Sequence, residues 1–248
     1  MYYYLHYKTK ISLKYLFIDN PIVILISVIL FLLLHKLSNN LIAYFVSAAS
    51  IPLLGFIITM IRFWRTPVRK VVAKNNQLVS PADGNVIYIK KVEKGEIPVS
   101  IKQGLKATLS ELSQTNLLDH PSWLIGINMT PFDVHKNCAP VSGTILLNKH
   151  ISGEFLSLKN PEAILRNERN TLVLVNENKE VFGIIQTASK LVKRIDSYVK
   201  VGDVIKQGEW FGMIRFGSQV DIIIPTIYSP EIQLGQQVYA AKTIIASK

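Results

Sequence analysis

The chain has 248 residues but only one cysteine, Cys138. A single cysteine excludes an intrachain disulfide and is typical of a protein in a reducing compartment. Nor does any cluster of Cys, His and carboxylate residues have the spacing of a metal site, so the sequence predicts no bound metal. Disulfide-stapled secreted domains and structural zinc proteins are therefore excluded as classes.

Acidic residues are scarce in the first part of the chain. Residues 1–74 contain nine Lys or Arg and a single acid, Asp19, whereas the remaining 174 residues contain 19 bases and 16 acids. The net charge of +11 therefore lies mainly near the N-terminus and does not indicate a nucleic-acid-binding domain. Basic residues beside a hydrophobic segment are attracted to anionic lipid headgroups by about 1 kcal/mol each. This predicts a membrane and an anionic phospholipid as partners.

Two apolar runs precede most of these charges. Residues 41–61 contain no charge, and their length is enough for about 31 Å of helix and so for a bilayer span. Residues 21–34 form a shorter apolar run, which is marginal for a full crossing. We predict an N-terminal anchor, residues 1–65, with hydrophobic helices at about 21–36 and 41–61. A cleaved signal peptide and a single span with an interfacial first helix are the alternatives.

The flanking charges predict the orientation of this helical hairpin. Three lysines between positions 8 and 14 precede it, and Lys36 alone lies in the loop between its two helices. Five basic residues follow between positions 62 and 74. By the positive-inside rule, both ends of the hairpin face the cytoplasm. We therefore expect a protein of the cell (inner, cytoplasmic) membrane whose remaining residues, 66–248, form a domain in the cytoplasm.

Beyond about residue 70 the sequence is β-rich. Short apolar or β-branched runs alternate with Gly, Pro, Asn and Asp, and we predict an (α+β) domain with a sandwich-like or barrel-like sheet. PADGNV at 81–86 and PVSGTI at 140–145 share the spacing Pro-x-x-Gly-x-Val/Ile, which predicts two related β units. Residues 102–121 interrupt the pattern with leucines at helical spacing. They are interpreted as a short amphipathic helix or mobile loop, either a surface insertion or a lipid-contacting flap.

A Gly217-Ser218 pair lies between two apolar, β-prone runs, and Ser218 begins the last 31 residues of the chain. A serine with glycine on its acyl side can attack its own preceding peptide bond. Glycine offers the least steric resistance to this attack and tolerates unusual backbone angles. Taken alone, the pair is more simply interpreted as a bulge or tight turn between two strands.

Three segments, in this order, resemble the short, membrane-anchored phosphatidylserine decarboxylases over roughly residues 65–248. They are VSPADGNV at 79–86, NMTPFDVHKNCAPVSG at 128–143 and RFGS at 215–218. Further matches are RNERN at 166–170 and QTASKLVKRI at 186–195. The resemblance implies a pyruvoyl-dependent lyase, made as a proenzyme, that converts phosphatidylserine into phosphatidylethanolamine and carbon dioxide. An enzyme acting on another serine-headed lipid, such as an archaetidylserine, would use the same residues.

A pyruvoyl group fits the chemistry of this reaction. Decarboxylation of an amino acid headgroup leaves a carbanion, which needs an electron sink derived from a carbonyl. Attack of the Ser218 hydroxyl on the Gly217 carbonyl, elimination from the resulting ester and hydrolysis would convert Ser218 into a pyruvoyl group. The products would be a β chain, 1–217, and an α chain, 218–248. We expect the two chains to stay associated, and a homodimer is left open.

The resemblance implies that Asp83 and His135 activate Ser218 as an Asp-His-Ser set. A serine hydroxyl is a poor nucleophile until a base takes its proton. Longer family members resemble His-x-x-His here, whereas this chain has Cys138 at the later position. We therefore expect His135 to serve both self-cleavage and the later protonation of the carbanion, with Cys138 as a packing residue. Asp133 is the alternative acid.

Basic side chains are expected to bind the phosphodiester of the lipid. The candidates are Arg169, Lys193, Arg194 and Arg215, for each of which structural ion pairing is an equal alternative. A different class, a non-catalytic, membrane-tethered domain similar to lipoyl carriers, is indicated only by VGDVIKQGE at 201–209. Since no suitable lysine lies at a hairpin tip there, we interpret this segment as structural.

Overall fold

The computed structural model describes most of the chain beyond residue 65. The described residues are 29, 32–33, 36, 53–55, 57–61, 63–71, 73–74, 76–94, 107–189, 195–215 and 218–248, with residue 218 described by its main chain. The chain divides into two compact units, Met1–Trp64 and Arg65–Lys248.

The predicted helical hairpin lies largely outside the described residues. Those that are described between positions 29 and 64 are helical. Among the described residues, no helix combines the length and the apolar character that crossing a membrane requires. The anchor, its orientation and the cell-membrane location therefore stay predictions.

The second unit is built mainly from short strands. In its described residues the strands are β1 (Gln77–Val79), β2 (Gly84–Val92), β3 (Ser122–Met129), β4 (Lys136–Cys138), β5 (Gly143–Ile151), β6 (Arg169–Val175), β7 (Val181–Ala188), β8 (Ile195–Ser197), β9 (Val204–Ile205), β10 (Trp210–Ile214), β11 (Ser218–Pro225), β12 (Ser229–Pro230), β13 (Gln237–Val238) and β14 (Ile244–Ser247). Two short helices accompany them, α1 (Leu109–Ser113) and α2 (Ala163–Arg166).

Eight strands form one curled antiparallel sheet shaped like half a barrel. Its order is β13-β2-β3-β11-β7-β6-β5-β9. Two smaller sheets, β1-β14-β12 and β4-β10-β8, complete the described part of the unit. The prediction of a β-rich domain is confirmed. Strand β11, which begins at Ser218, lies in the middle of the large sheet, with β3 on one side and β7 on the other.

The large sheet consists of two similar halves. From its two edges inward, the order β13-β2-β3-β11 matches the order β9-β5-β6-β7. Strands β2 and β5 each begin at the glycine of a Pro-x-x-Gly motif, Gly84 and Gly143, and each has a register irregularity shortly afterwards. At both glycines a Cβ would lie 2.4 Å from a carbonyl oxygen of the neighbouring strand, so a side chain there would collide with the backbone. The repeated motif therefore marks two related β units.

Both faces of the large sheet are buried. Along β11, Val220, Ile222 and Ile224 belong to one core cluster, and Ile223 belongs to a second. Successive side chains of a strand point to opposite faces, so a strand covered on both sides needs apolar residues at consecutive positions. This explains the run of three isoleucines after Asp221.

The second face is covered by the segment that interrupts the β pattern. Helix α1 begins with a capping box, in which Glu111 N donates to Thr108 Oγ1 at 3.1 Å and Thr108 N donates to the Glu111 carboxylate at 2.7 Å. Leu109 and Leu112 of this helix, and Leu118 after it, are buried in the second core cluster. The prediction of a short amphipathic helix is confirmed. Because its leucines are core residues, the segment is more than a surface insertion.

A buried polar cluster lies on this second face, close to Ser218 in sequence. The Tyr88 hydroxyl donates to the Asp221 carboxylate, and Gln219 Nε2 donates to the Tyr88 oxygen at 2.8 Å. The Tyr88 ring lies against Gly126, where a Cβ would be 2.4 Å from ring atom Cζ. Gly126 thus leaves the space that the ring needs to reach Asp221.

Gly126→Ala is expected to lower the free energy of unfolding by about 2 kcal/mol, because the new methyl group must displace a buried, hydrogen-bonded ring. For a unit of this size, about 2 kcal/mol corresponds to a decrease in Tm of about 4–8 °C. Thermal unfolding should be compared in a Ser218→Ala background, which keeps every sample uncleaved, with Ser229→Ala as a surface control. An unchanged Tm would contradict the close approach of Tyr88 to Gly126.

Candidate active site

His135 follows a turn that its own neighbours build. Strand β3 ends at Met129, and β4 begins at Lys136. Between them, the Asp133 carboxylate accepts hydrogen bonds from the amide and the hydroxyl of Thr130, both at 2.7 Å, as is typical of aspartate in a turn. The turn places the Asp133 carbonyl oxygen 2.9 Å from His135 Nδ1.

This contact determines the tautomer of His135. A carbonyl oxygen only accepts, so Nδ1 carries the proton and Nε2 carries the lone pair of the neutral ring. His135 is fully buried, and burial lowers its pKa to about 4. The hydrogen bond to Asp133 and the charge of Asp83 oppose this shift, whereas the charge of Arg65 adds to it. His135 is therefore neutral at physiological pH and can take a proton at Nε2.

Asp83 lies in the loop before β2 and is buried with a charged partner. Both of its carboxylate oxygens accept from the Arg69 guanidinium, with Nη2 and Oδ2 2.7 Å apart. Oδ1 also accepts from the Ala240 amide at 2.8 Å, and Oδ2 accepts from the Val134 amide at 3.4 Å. Since Val134 directly precedes His135, the Asp83 loop and the histidine turn are in contact.

The arrangement differs from a direct carboxylate-histidine pair. The sequence predicts that a carboxylate orients the His135 ring, but the acceptor on Nδ1 is the main-chain carbonyl of Asp133. Asp83 acts on the ring through its charge. The carboxylate of Asp133, the alternative acid, is bound by Thr130 and by Gln237 Nε2 at 3.1 Å. The catalytic roles of Asp83 and His135 stay predictions.

Ser218 begins β11 at the same end of the sheet. In the backbone register, it lies opposite Met129 of β3 and opposite Ala188 of β7. Met129 is the last residue before the turn that leads to His135. The main chain of Ser218 is therefore next to the strand end from which this turn starts.

The chain on the other side of the predicted cleavage site also runs beside His135. Strand β10 pairs with β4, with Met213 opposite Lys136, and Ile214 N donates to the His135 carbonyl at 3.1 Å. Gly217, three residues further on, lies outside the described residues. Two independent strand pairings, β11 with β3 and β10 with β4, thus bring the flanks of the Gly217-Ser218 bond to the histidine turn.

Arg169, a predicted phosphate ligand, has a structural role. Its side chain is buried, and its guanidinium donates to four main-chain carbonyls, including those of Leu112 at 3.1 Å and Asn167 at 3.3 Å. The other two acceptors, Leu165 and Glu111, belong to α2 and α1. Arg169 therefore binds carbonyls of both short helices, and we do not retain it as a phosphate ligand.

Arg215 is the described candidate that stays near the surface. Its guanidinium pairs with the Asp196 carboxylate at 2.8 and 2.9 Å, yet its side chain is 40% exposed. Lys193 and Arg194 lie outside the described residues. Phosphate binding by Arg215 and Arg194 stays a prediction.

Cys138 is a buried packing residue. Its sulfur donates to the Ser80 carbonyl at 3.3 Å, and it packs against Ala240 and Ala241. Burial raises the pKa of the Cys138 thiol to about 12, so the thiol is protonated at neutral pH and is a poor nucleophile. The structure thus agrees with the packing role expected for it.

Arg69 is the residue that the sequence does not reveal. Its position in a basic segment predicts attraction to lipid headgroups, but its side chain is only 7% exposed and is paired with Asp83. It also donates to the Ala240 carbonyl at 2.7 Å and lies over the Trp210 ring, 5.8 Å from its centroid. An arginine next to the exposed Lys70 carries no sequence signal that would single it out as buried.

Comparisons with known proteins identify the family of this chain. The family model of phosphatidylserine decarboxylase matches residues 56–246. A putative archaetidylserine decarboxylase proenzyme of Methanocaldococcus jannaschii is 37% identical over 80% of this chain and 94% of its own length. Phosphatidylserine decarboxylase proenzymes of Ralstonia nicotianae and Cytophaga hutchinsonii are 33% and 34% identical, over 75% and 89% of this chain and 77% and 92% of their own lengths. The chain therefore belongs to the phosphatidylserine decarboxylase family.

Proposed function

We propose that this chain is a self-processing, pyruvoyl-dependent phosphatidylserine decarboxylase. The observation that carries the proposal is the pairing of β11, whose first residue is Ser218, with the end of β3 that leads to the buried, neutral His135. A base of this kind beside a Gly-Ser bond is what self-cleavage by a serine needs.

Self-cleavage uses groups that the chain itself supplies. His135 Nε2 takes the proton of the Ser218 hydroxyl, and the oxygen attacks the carbonyl carbon of Gly217. The peptide C–N bond breaks, which leaves an ester between the two residues and a free amine on residue 218. Loss of the α-proton of residue 218 then expels the Gly217 carboxylate and leaves dehydroalanine. Addition of one water and release of one ammonia give the pyruvoyl group.

The position of the bond explains how the two fragments can stay together. Cleavage before Ser218 removes no partner from β11, whose residues remain paired with β3 and β7 through both of its edges. Strands β13 and β14, also in the fragment 218–248, pair with β2 and β1 of the other fragment. The apolar side chains Ile222 to Ile224 are fully buried. The short α chain is thus held by a central strand of the sheet.

A pyruvoyl carbonyl at residue 218 supplies the electron sink that loss of carbon dioxide requires. The residues present fit such a group, because position 218 is at a strand end beside a buried turn whose histidine carries its lone pair on Nε2. Once Ser218 has reacted, His135 would be the group that returns a proton to the substrate carbon. His135 would therefore act in both processing and turnover.

The substrate class follows from family membership and from the predicted anchor. The lipid would be phosphatidylserine, bound at the cytoplasmic surface of the cell membrane, with its phosphodiester near Arg215, three residues before Ser218. Archaetidylserine is the second candidate, because a relative with that name is 37% identical and aligns with 94% of its own length. Both lipids present the same serine headgroup, so the residues described above do not distinguish them.

Full-length protein returned from detergent to vesicles tests the proposal. Vesicles of phosphatidylserine labelled with ¹³C at the carboxyl carbon should release labelled carbon dioxide while phosphatidylethanolamine accumulates. Parallel vesicles made of archaetidylserine show whether the protein releases carbon dioxide from the second candidate lipid. If a chain cleaved at Gly217 releases carbon dioxide from neither lipid, the substrate assignment is wrong. Release by a chain that stays uncleaved would contradict the pyruvoyl mechanism.

A further inference from the structure

The segment of residues 65–71, called here the connector, is docked into the catalytic unit. Arg69 reaches Asp83 and the Ala240 carbonyl. Two residues later, Val71 packs beside the buried Cys138. A Cβ added to Gly208 would lie only 2.2 Å from Val71 Cγ2. The connector is therefore part of the folded site, although its sequence resembles a solvated basic run.

The second Pro-x-x-Gly motif, in the other half of the large sheet, allows a comparison with the Asp83 loop. Ser142 takes the place of Asp83 in the second Pro-x-x-Gly motif, and its hydroxyl accepts from the Gln207 amide at 2.9 Å. Asp83 accepts from the Ala240 amide in the same way, at 2.8 Å. A neutral serine is therefore sufficient to bind the main-chain amide of the facing loop. The negative charge of Asp83 and its arginine partner go beyond that requirement.

A buried ion pair is costly to desolvate and is a poor way to add stability. Here the pair lies beside the catalytic turn, because Asp83 Oδ2 accepts from the amide of Val134, the residue before His135. Arg69 binds both carboxylate oxygens, which fixes the orientation of the carboxylate. The electrostatic effect of Asp83 on His135 therefore depends on the position in which Arg69 holds the Asp83 carboxylate.

We propose that Arg69 is a positioning residue that holds the Asp83 carboxylate beside the His135 turn, so that the connector completes the active site. This inference rests on the proposed self-cleavage. It reassigns Arg69 from the lipid surface to the catalytic machinery. The segment that follows the predicted anchor then contributes one positioning residue to the site.

Rates of self-cleavage in full-length variants test the role of Arg69. Arg69→Gln is expected to slow cleavage at Gly217 by about 10- to 100-fold, because small displacements of catalytic groups have effects of this size. Arg69→Lys should be intermediate, since an ammonium group cannot make the two-pronged contact. Lys70→Gln, which removes the same charge from the exposed neighbour, should stay within about twofold of the unaltered chain.

The pH profile of cleavage separates positioning from a folding defect. Among the described residues, the charges that act on His135 include those of Asp83 and Arg65, with Asp133 in its turn. Arg69→Gln leaves Asp83 uncompensated, which favours protonated His135 and should move the acid limb to higher pH. Asp83→Ser, which keeps a hydroxyl like that of Ser142, should move it to lower pH. A misfolded site has no reason to shift the two profiles in opposite directions.

The double variant Arg69→Gln/Asp83→Ser completes the test. If Arg69 acts through Asp83, the double variant should cleave no more slowly than Asp83→Ser alone. Additive losses, or cleavage of Arg69→Gln at the rate of the unaltered chain, would overturn the inference. Failure of the unaltered chain to cleave would instead overturn the proposed function, so the two failures are distinguishable.

Discussion

Ser218→Ala is expected to remain one chain of 248 residues, whereas the unaltered protein separates into fragments 1–217 and 218–248. Alanine lacks the oxygen that attacks the Gly217 carbonyl, so the ester at residue 218 cannot form. The effect is therefore complete loss of cleavage rather than a slower rate. Decarboxylation should be lost with it, because the carbonyl at residue 218 is never formed.

Intact mass spectrometry measures this difference directly. The short fragment should be lighter than a fragment that begins with serine by the mass of one ammonia, and its N-terminus should be blocked. Ser229→Ala, a change of the same kind at an exposed position of β12, should cleave normally. Cleavage of Ser218→Ala would show that the bond is broken by another protease or at another site. If the unaltered chain stays uncleaved in detergent and in membranes, the interpretation as a non-catalytic carrier-like domain is favoured.

His135→Gln is expected to slow self-cleavage by about 10²- to 10⁴-fold, the usual contribution of a general base. Glutamine keeps much of the polarity of the buried site but cannot take the serine proton. The large effect follows from the position of His135, whose carbonyl accepts from Ile214 of β10 and whose turn starts after Met129, the β3 residue opposite Ser218. His150→Gln, at a half-exposed histidine of β5, is the matched control and should cleave at the normal rate.

The pH dependence of the unaltered chain checks the same assignment. Because burial lowers the pKa of His135 to about 4, its Nε2 stays unprotonated across the range from about pH 5 to 8. The rate of self-cleavage should be constant over this range and should fall to half of that value near pH 4. A midpoint near 6.5, the usual value for a solvent-exposed histidine, would contradict a buried base. His135→Gln should lack this acid limb.

The elements of the fold that depend on residues close together in the sequence could be predicted. The apolar run of β11 and the leucines of α1 follow from periodicity, and the glycines Gly84 and Gly143 follow from a repeated motif. Each of these features is decided by residues within a few positions of one another. The order of the eight strands could not be predicted in this way, because it depends on which distant runs pair.

The candidate site was predicted in its residues but not in its contacts. The motifs point to Asp83, His135 and Ser218, and the structure brings the turn of His135 next to the first and to the main chain of the last. The acceptor for the histidine ring is a main-chain carbonyl, which no side-chain pattern can indicate. Arg169 is the reverse case, since a basic residue in a matched motif donates to four main-chain carbonyls that the motif does not indicate.

The sequence by itself determined the β-rich class and the repeated Pro-x-x-Gly motif, and its resemblance to a known family pointed to the Gly217-Ser218 bond and the catalytic candidates, because motifs and periodicity are local properties. Only the tertiary structure decided that Arg69 leaves its basic neighbours to pair with Asp83 and that burial keeps His135 neutral. Ion pairs and desolvation depend on surroundings contributed by distant segments, here residues as far away as Ala240. Such surroundings exist only once the chain has folded.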